Sequence, residues 1–268
     1  MIQTISELYS ILRSSPEEIK YLLGDIHSQY IPGVEPKRKY GDIQLDKHGN
    51  VRLRQLMKPS EKIKRTQQRI NNYLQQIILP VYMNGSVPGR NHIINAKQHL
   101  NQKYFLTIDL KNFFPNINHQ QVFQLFRRYN FSPEVSRVLT KLTTYQNGLP
   151  QGAPSSPVIA NLVFLPVAYQ LHAIAKNANL QFTCYLDDLS FSSQKPFKHL
   201  IPDILNIIRS NGFFPSHNKI HYCMDKCEIT GLVVYKNTLN VIHEMRRAAR
   251  KKPNLKVYVQ SIDNLHLD

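Results

Sequence analysis

Acidic residues, cysteines and uninterrupted apolar runs are all scarce in this chain of 268 residues. The three cysteines are too few for a disulfide framework and indicate a reducing compartment, so we expect a cytoplasmic protein. The longest apolar run, residues 158–171, is interrupted by Asn161, Pro166 and Gln170, which argues against a membrane span or a membrane partner. No internal repeat or low-complexity tract is found, and the length allows a large core, as one domain with subdomains or as two.

Basic residues are plentiful: 34 Lys and Arg against 18 Asp and Glu give a formal net charge of +16. This excess suits a surface that follows the phosphate backbone of a nucleic acid, and such binding weakens as the salt concentration rises. The 14 Tyr and 12 Phe interleaved with the basic residues could stack on bases or sugars, although most rings belong in the core. Charge alone leaves open a basic protein that is merely soluble.

An Asp pair within residues 185–188 (Tyr-Leu-Asp-Asp) is the most informative feature. Residues 182–185 are typical of a strand and residues 189–191 of its return, so Asp187 and Asp188 are expected at the tip of a tight hairpin. Taken alone, the pair is more typical of a solvated turn.

A third carboxylate, Asp109, ends another β-rich run at residues 104–109. Three carboxylates delivered by strand ends repel one another unless cations hold them together, and oxygen ligands favour Mg²⁺. The pattern predicts a phosphoryl-transfer site with two divalent ions ~3.5–4 Å apart.

Local patterns predict most of the remaining elements. Ser15 and Glu18 form a capping box with Pro16 at the first helical position, and Ser60 is expected to cap a long helix. Helices are predicted at residues 4–12, 15–26, 60–78, 119–128, 133–145 and after Pro157; strands at 40–45 and 51–54 are expected to pair around a turn at 48–50, and residues 85–89 to form a flexible loop.

Four zinc-type ligands lie close together in sequence: His217, His221, Cys223 and Cys227. The two cysteines lack the usual spacing of two intervening residues, so partly buried small side chains are favoured over a metal site.

Ordered motifs between about residue 50 and residue 235 resemble those of reverse transcriptases, most closely the bacterial retron type. They are residues 54–60 (RQLMKPS) leading to Gln67, 108–115 (IDLKNFFP), 149–157 (LPQGAPSSP) followed by 160–162 (ANL), 185–188 (YLDD) and 218–219 (NK) after 212–214 (GFF). Two further segments resemble retron signatures: residues 95–99 (NAKQH), like Asn-Ala-x-x-His, and residues 229–234 (ITGLVV), like a Val-Thr-Gly segment.

The resemblance implies an α+β right-hand polymerase with fingers, a palm of antiparallel sheet backed by helices, and a short or truncated thumb. Residues 1–103 would form N-terminal helices and fingers, residues 104–235 the palm with finger-like helices at about 119–148, and residues 236–268 a basic thumb remnant. One thumb helix at residues 243–252 would end before Pro253, and residues 255–267 could add one short element. A compact enzyme, a truncated thumb and a thumb supplied by a partner all remain open.

The resemblance also implies catalytic roles. Asp109, Asp187 and Asp188 would hold two Mg²⁺ ions during nucleotidyl transfer from a dNTP, and Lys219 would protonate the leaving pyrophosphate. Lys219 could equally neutralise phosphate charge or simply be exposed. Leu186 departs from the Ala usual in retron enzymes, which puts primer fit rather than metal binding in question.

The implied nucleotide pocket contains a triphosphate clamp and a sugar selector. Arg54 would bind the triphosphate, with Arg52 or Lys47 assisting. Phe114 would stack under the sugar and exclude a 2′-OH, with Phe113 pointing to the opposite face if the segment is extended. The other nucleotide-binding residues would be Leu110, Gln151 and Gly152.

The retron signatures further imply a dedicated RNA partner. Asn95, His99 and Thr230 would contact a structured non-coding RNA that serves as template and primer. Priming from a 2′-OH of a guanosine would yield branched RNA–DNA, and an effector protein of an anti-phage defence system would be a second partner. Without the resemblance, Asn95 and His99 are more typical of cap or core positions, and Thr230 of an ordinary strand.

Two alternatives stay open at this point. One is a non-retron defence or group II-like reverse transcriptase, and the other is a catalytically inactive RNA-binding scaffold with a polymerase fold. The intact Asp triad, Gln151 and Lys219 favour an active enzyme, whereas the short C-terminal part favours the scaffold.

Overall fold

The computed structural model describes residues 1–39, 42–46 and 48–265. Its helices are α1 (Ile5–Leu12), α2 (Pro16–Gly24), α3 (Glu61–Leu74), α4 (His92–Lys97), α5 (Phe113–Asn116), α6 (His119–Arg128), α7 (Pro133–Thr143), α8 (Ser156–Asn177), α9 (Ile201–Ser210), α10 (His243–Ala249) and α11 (Pro253–Asp263). Its strands are β1 (Tyr30–Pro36), β2 (Arg38–Lys39), β3 (Asp42–Ile43), β4 (Leu53–Pro59), β5 (Tyr104–Leu110), β6 (Gln181–Tyr185), β7 (Asp188–Ser193), β8 (Pro215–Met224), β9 (Lys226–Ile229), β10 (Leu232–Tyr235) and β11 (Thr238–Val241).

The chain divides into two compact units. Unit 1 contains Met1–Lys39, Ile43–Ile78 and Asn112–Phe164, and unit 2 contains Tyr40–Asp42, Leu79–Lys111 and Leu165–Asp268. The helices expected near residues 119–148 therefore group with the N-terminal elements, and residues 79–103 group with the strand that bears Asp109.

Unit 1 is mainly helical, and local sequence sets its helix starts. Thr4 and Ser15 accept hydrogen bonds from the backbone N–H groups of Glu7 and Glu18, whose side chains accept in return, so α1 and α2 both open with capping boxes. The amphipathic helix α7 packs against α1, α2, α3 and α6 and buries its apolar face in the middle of the unit. The predicted helices of this unit are confirmed.

The end and the cap of α3 differ from the prediction. The helix ends at Leu74 rather than Ile78, and Ser60 makes no side-chain capping bond. Its hydroxyl instead donates to Gln29 Oε1 at 2.8 Å, because Ser60 lies between the end of β4 and the start of α3, next to the residue that precedes β1. Gln67 on α3 is fully buried and donates to the Tyr30 hydroxyl and to the Leu142 carbonyl, which links α3 to β1 and α7.

The predicted pairing of residues 40–45 with residues 51–54 is found in part: the Arg52 N–H donates to the Gln44 carbonyl at 2.8 Å, but from Leu53 onwards the chain forms β4, which has another partner. The strand pairs antiparallel with β1, from Tyr30 opposite Pro59 to Pro36 opposite Leu53, rather than with residues 40–45. The expected turn is present, since Leu45 bridges Val51 and Gly49 has a φ of +84°. Tyr40 and Gly41 of the predicted partner strand lie outside the described residues.

Unit 2 is built on a four-stranded antiparallel sheet with strand order β6-β7-β5-β8. Buried aromatic rings fill one side of this sheet; the Phe182 and Phe191 ring centroids are 4.8 Å apart. The strand predictions at residues 182–185, 189–191 and 104–109 are confirmed.

A second sheet of unit 2, with order β11-β10-β9, packs with α10 and α11 in one apolar cluster. The helix expected at residues 243–252 is confirmed as α10, although it ends at Ala249. The expected further element is α11, which begins at Pro253, where a missing N–H costs nothing. Leu267, the end of that prediction, lies outside the described residues.

The helix α8 is longer than the apolar run suggested, because Pro166 is accommodated inside it. By length and composition alone this 22-residue helix could cross a membrane, yet 67% of its most apolar window is buried inside the protein. Burial of that kind is also found in the core helix of a soluble protein.

Candidate active site

The hairpin that carries the Asp pair has a two-residue turn. Tyr185 pairs with Asp188 at the end of β6 and β7, which leaves Leu186 and Asp187 as the turn itself. Leu186 has a φ of +57°, a conformation that usually suits glycine and costs a side chain about 1–2 kcal/mol. Such strain at a hairpin tip persists only where the surroundings enforce it, as they often do at functional sites.

The first carboxylate lies directly beside the pair. Asp109 on β5 is opposite Asp188 on β7 in the antiparallel register. The Leu110 N–H donates to the Asp187 carbonyl at 2.9 Å, which fixes the turn against the end of β5. Asp109, Asp187 and Asp188 are therefore neighbours at one end of the four-stranded sheet of unit 2, as their positions at strand ends predicted.

An irregularity between β5 and β8 brings Lys219 to this cluster. The register shifts between Ile108 and Leu110, so that an extra stretch of β8 lies opposite Asp109. The Lys219 ammonium donates to Asp109 Oδ2 at 2.5 Å, with side-chain exposures of 57% and 20%. The predicted catalytic lysine thus lies in direct contact with the predicted metal-binding carboxylate.

The electrostatics of the cluster favour an added cation. Burial, together with the negative charges of Asp187 and Asp109, raises the pKa of Asp188 to about 7, whereas Lys219 opposes the shift. Among the described residues, no three His, Cys, Asp or Glu side chains are arranged as a ready metal cluster. The three side chains nevertheless offer only carboxylate oxygens, which are the ligands that hard divalent cations such as Mg²⁺ prefer. Lys219 already places one positive charge at this cluster, which shows that a cation is accommodated beside Asp109.

Gly85 packs against the backbone of this hairpin, and no pattern in the sequence singled it out. The neighbouring segment hydrogen-bonds to β6, with the Asn84 N–H donating to the Cys184 carbonyl at 2.8 Å. A Cβ atom on Gly85 would lie 2.6 Å from the Leu186 nitrogen and 2.8 Å from the Tyr185 carbonyl carbon. Gly85 is buried in this contact; residues 85–89 are in turns and irregular backbone, as predicted for a loop, and the flexibility of that loop stays a prediction.

The predicted nucleotide-binding residues other than Leu110 belong to unit 1. The Met57 N–H on β4 donates to the Gln151 carbonyl at 3.1 Å, which joins the strand that carries Arg54 to the Gln151–Gly152 loop. Gly152 has a φ of +109° and is exposed, so its backbone is open to close approach. Arg54 is exposed on β4, whereas Lys47 lies outside the described residues.

Phe114 lies on a helical turn rather than an extended segment. In α5, Phe113 is buried and packs edge-on against Phe164, with 5.7 Å between ring centroids, while Phe114 remains half-buried. The two rings still differ in environment, as expected, but helical geometry rather than strand alternation separates them. Gly148 allows the following loop to contact this segment, because a Cβ there would lie 2.7 Å from the Pro115 carbonyl oxygen.

Leu110 does not fit the role expected from the sequence. Its side chain is 2% exposed, and its N–H is bonded to the Asp187 carbonyl. The side chain therefore packs in the core instead of facing a nucleotide.

The predicted RNA contacts of Asn95 and His99 also require correction. His99 is 0% exposed, and its two ring nitrogens are hydrogen-bonded to the hydroxyls of Ser192 and Thr183 at 2.6 and 2.7 Å. Asn95 is 1% exposed and accepts from the Asn84 amide at 3.0 Å. Neither side chain is open to an RNA in this fold, because His99 is bonded to the sheet strands β6 and β7 and Asn95 is buried against Asn84.

Thr230, unlike Asn95 and His99, is not buried. It is partly exposed with a φ of +46°, and its hydroxyl donates to the His92 carbonyl at 3.2 Å. Its predicted RNA contact stays a prediction.

Within the described residues, no three side chains of the His and Cys cluster are arranged to hold a metal ion. His217 and His221 are exposed, whereas Cys223 is half-buried and Cys227 buried. The cysteines thus match the favoured interpretation of small packed side chains.

Two of the solved structures with a similar fold are telomerases. Telomerase from Candida albicans in complex with a fragment of telomeric RNA matches with a TM-score of 0.54 at 9% identity, covering 84% of this chain and 50% of that chain. Apo telomerase from Candida tropicalis matches with a TM-score of 0.52 at 11% identity, covering 77% and 46%. The fold is therefore the right-hand polymerase fold, as expected.

Sequence comparisons identify the family within that fold. The family described as "Reverse transcriptase (RNA-dependent DNA polymerase)" matches residues 42–234. Retron Se72 reverse transcriptase of Salmonella heidelberg (strain 579083-10) is 31% identical over 241 residues, and Retron Ec86 reverse transcriptase of Escherichia coli is 32% identical over 220 residues. These alignments cover 81% and 80% of this chain and 63% and 69% of the relatives' own length. The chain belongs to the reverse transcriptase family, and within it to the retron type.

Proposed function

We propose that this chain is an RNA-directed DNA polymerase that synthesises cDNA by two-metal nucleotidyl transfer. The observation that carries the proposal is the register of Asp109 opposite Asp188, with Asp187 in the adjoining turn and Lys219 bonded to Asp109. The family supports the same activity, since both retron relatives are named reverse transcriptases.

Asp109, Asp187 and Asp188 would hold the two Mg²⁺ ions. Bound Mg²⁺ would lower the pKa of the primer hydroxyl and neutralise the triphosphate and the leaving pyrophosphate. Lys219 neutralises Asp109 when no divalent cation is bound. With Asp109 as a metal ligand, the Lys219 ammonium would neutralise or protonate the leaving pyrophosphate.

The dNTP would be held by residues of unit 1. The exposed Arg54 guanidinium offers paired donors to phosphate oxygens, and the partly exposed Phe114 ring offers a surface that leaves no room for a 2′-OH. Gln151 would contact the sugar, and the backbone of Gly152 allows the nucleotide to approach closely. Each of these roles rests on the matching family motif together with the exposure of the residue.

The nucleic-acid partner of this chain would be a structured non-coding RNA. The chain and this RNA would act together in the cytoplasm. In the retron interpretation, synthesis begins at a 2′-OH of a guanosine in that RNA and leaves branched RNA–DNA, and an effector protein completes an anti-phage defence system. The net charge of +16 supports a nucleic-acid partner, since it suits contacts with a phosphate backbone.

Nucleic acid recovered from the purified protein tests the retron subtype. Wild-type protein expressed with its neighbouring non-coding RNA should carry DNA joined to RNA, which a debranching enzyme separates into two species. The Asp187→Asn/Asp188→Asn variant should carry the RNA alone. Recovery of unjoined RNA and DNA from an active enzyme would contradict the retron subtype and favour another kind of reverse transcriptase.

A further inference from the structure

Two thiols lie next to each other at the junction of the two sheets in unit 2. Cys223 is near the end of β8 and Cys227 is on β9, and their Sγ atoms are 3.3 Å apart. Both cysteines are free thiols. This separation is a sulfur–sulfur contact, close enough that rotation of the side chains could bring the atoms to the ~2.05 Å of a disulfide bond.

The two cysteines belong to different sheets. Cys223 pairs with Phe105 in the four-stranded sheet, and Cys227 pairs with Val234 in the three-stranded sheet. The chain bends between them at Asp225, which has a φ of +66°. A covalent bond between the sulfurs would therefore fix the bend that joins the two sheets.

The exposure of the two residues gives them different roles. Cys223 is half-buried, so a small oxidant can approach it, whereas Cys227 is 5% exposed in the apolar cluster under α10 and α11. One thiol is thus placed to react with a reagent from solution, and the other is placed to react only with its neighbour.

We propose that Cys223 and Cys227 form a redox-active dithiol that a hydroperoxide converts to an intramolecular disulfide. The Cys223 thiolate attacks one peroxide oxygen, the O–O bond breaks, and Cys223 becomes a sulfenic acid while water or an alcohol leaves. Cys227 then attacks the Cys223 sulfur, so that the S–S bond forms, the S–O bond breaks and a second water leaves. The two sulfurs together lose two electrons, and the peroxide gains them.

The hydrogen bond within the pair supports this order of events. The Cys227 S–H donates to the Cys223 sulfur, which lowers the pKa of Cys223 to about 7, while the same contact and burial raise the pKa of Cys227. Cys223 is therefore the more reactive thiol near neutral pH. Cys184, the remaining cysteine, is buried with a raised pKa and should not react.

Peptide mapping of the full chain tests the proposal. Reduced protein is treated with hydrogen peroxide at a stoichiometric ratio, the remaining thiols are alkylated under denaturing conditions, and the protein is digested with trypsin. Cleavage after Lys226 separates the two cysteines, so a disulfide appears as residues 220–226 (IHYCMDK) joined to residues 227–236 (CEITGLVVYK). We expect the intact mass to fall by two hydrogen atoms and only Cys184 to be alkylated, with full reversal by dithiothreitol.

Single variants separate this chemistry from general oxidation. Cys227→Ala should react more slowly with the peroxide, because the S–H that lowers the pKa of Cys223 is missing, but its Cys223 sulfenic acid should persist and be labelled by dimedone, whereas the wild type should show almost no label because Cys227 resolves it. The control Cys184→Ala should form the same disulfide as the wild type. Wild-type protein that keeps three free thiols, or that is oxidised at Cys223 without the joined peptide, would overturn the proposal.

Discussion

Asp109 and Asp188 lie directly opposite each other on β5 and β7, at the end of the sheet where the turn of the Asp pair begins. Two carboxylates in this position repel each other, and the raised pKa of Asp188 reflects that repulsion together with burial. Bound cations would relieve this electrostatic repulsion. The register of β5 and β7 therefore supports the proposed two-metal chemistry.

Asp188→Asn should separate stability from activity. Removal of one negative charge relieves repulsion, so the Tm measured without divalent cations should rise, while loss of a metal ligand should lower primer extension about a thousandfold. The exposed Asp203 on α9 offers a control, since Asp203→Asn should change neither value appreciably. Wild-type activity in the Asp188→Asn variant would contradict the role of Asp188 as a metal ligand.

Lys219→Gln should affect turnover far more than folding. The ion pair with Asp109 is largely exposed on the lysine side, so its loss should change the free energy of unfolding by less than about 1 kcal/mol. Removal of a proton donor to the leaving group should lower kcat about a hundredfold. Lys226→Gln, at an exposed lysine on β9, is the matched control. Unchanged kcat in Lys219→Gln would leave this residue as an ordinary surface lysine.

Gly85→Ala should damage the hairpin turn without touching any carboxylate. The new methyl group would meet the backbone of Tyr185 and Leu186, which cannot move without displacing Asp187, so about 1–3 kcal/mol of stability and most of the activity should be lost. Gly24→Ala is the comparison, because nothing lies within 4 Å of a Cβ at the end of α2. Thermal unfolding and primer extension measure both effects, and equal behaviour of the two variants would exclude a supporting role for Gly85.

His99 should make folding sensitive to mild acid. Burial lowers its pKa to about 3, so the folded chain keeps the ring neutral while the unfolded chain protonates it below about pH 6.5. Its contribution is fully present above pH 6.5, and stability should fall by about 1.4 kcal/mol per pH unit from there towards pH 3.

Denaturant unfolding at several pH values measures this slope. His99→Gln should be less stable at neutral pH but should show a shallower fall below pH 6.5, because it cannot take up that proton. Identical slopes in the two proteins would mean that His99 is not held neutral in the fold.

The sequence predicted features that depend on nearby residues. The capping box at Ser15 and the β-rich run that ends at Asp109 are local patterns, so the sequence alone locates the corresponding helix and strand. The hairpin of Asp187 and Asp188 was predicted for the same reason.

Features that depend on distant contacts could not be predicted in this way. The partner of β4 is β1, a strand with two prolines and a glycine whose propensity does not suggest a sheet. His99 matches an RNA-binding signature in sequence, and only tertiary packing shows that Ser192 and Thr183 occupy both of its nitrogens. The close approach of Gly85 to the turn likewise depends on a segment far from Asp187 in the chain.

Primer extension on an RNA template with dNTPs and Mg²⁺ tests the central claim most directly. Wild-type protein should synthesise cDNA, chelation of Mg²⁺ should stop it, and Asp187→Asn/Asp188→Asn should reduce it at least about a thousandfold while the protein stays folded. No extension by the wild type, even with its neighbouring non-coding RNA present, would contradict the assignment and favour an inactive RNA-binding scaffold.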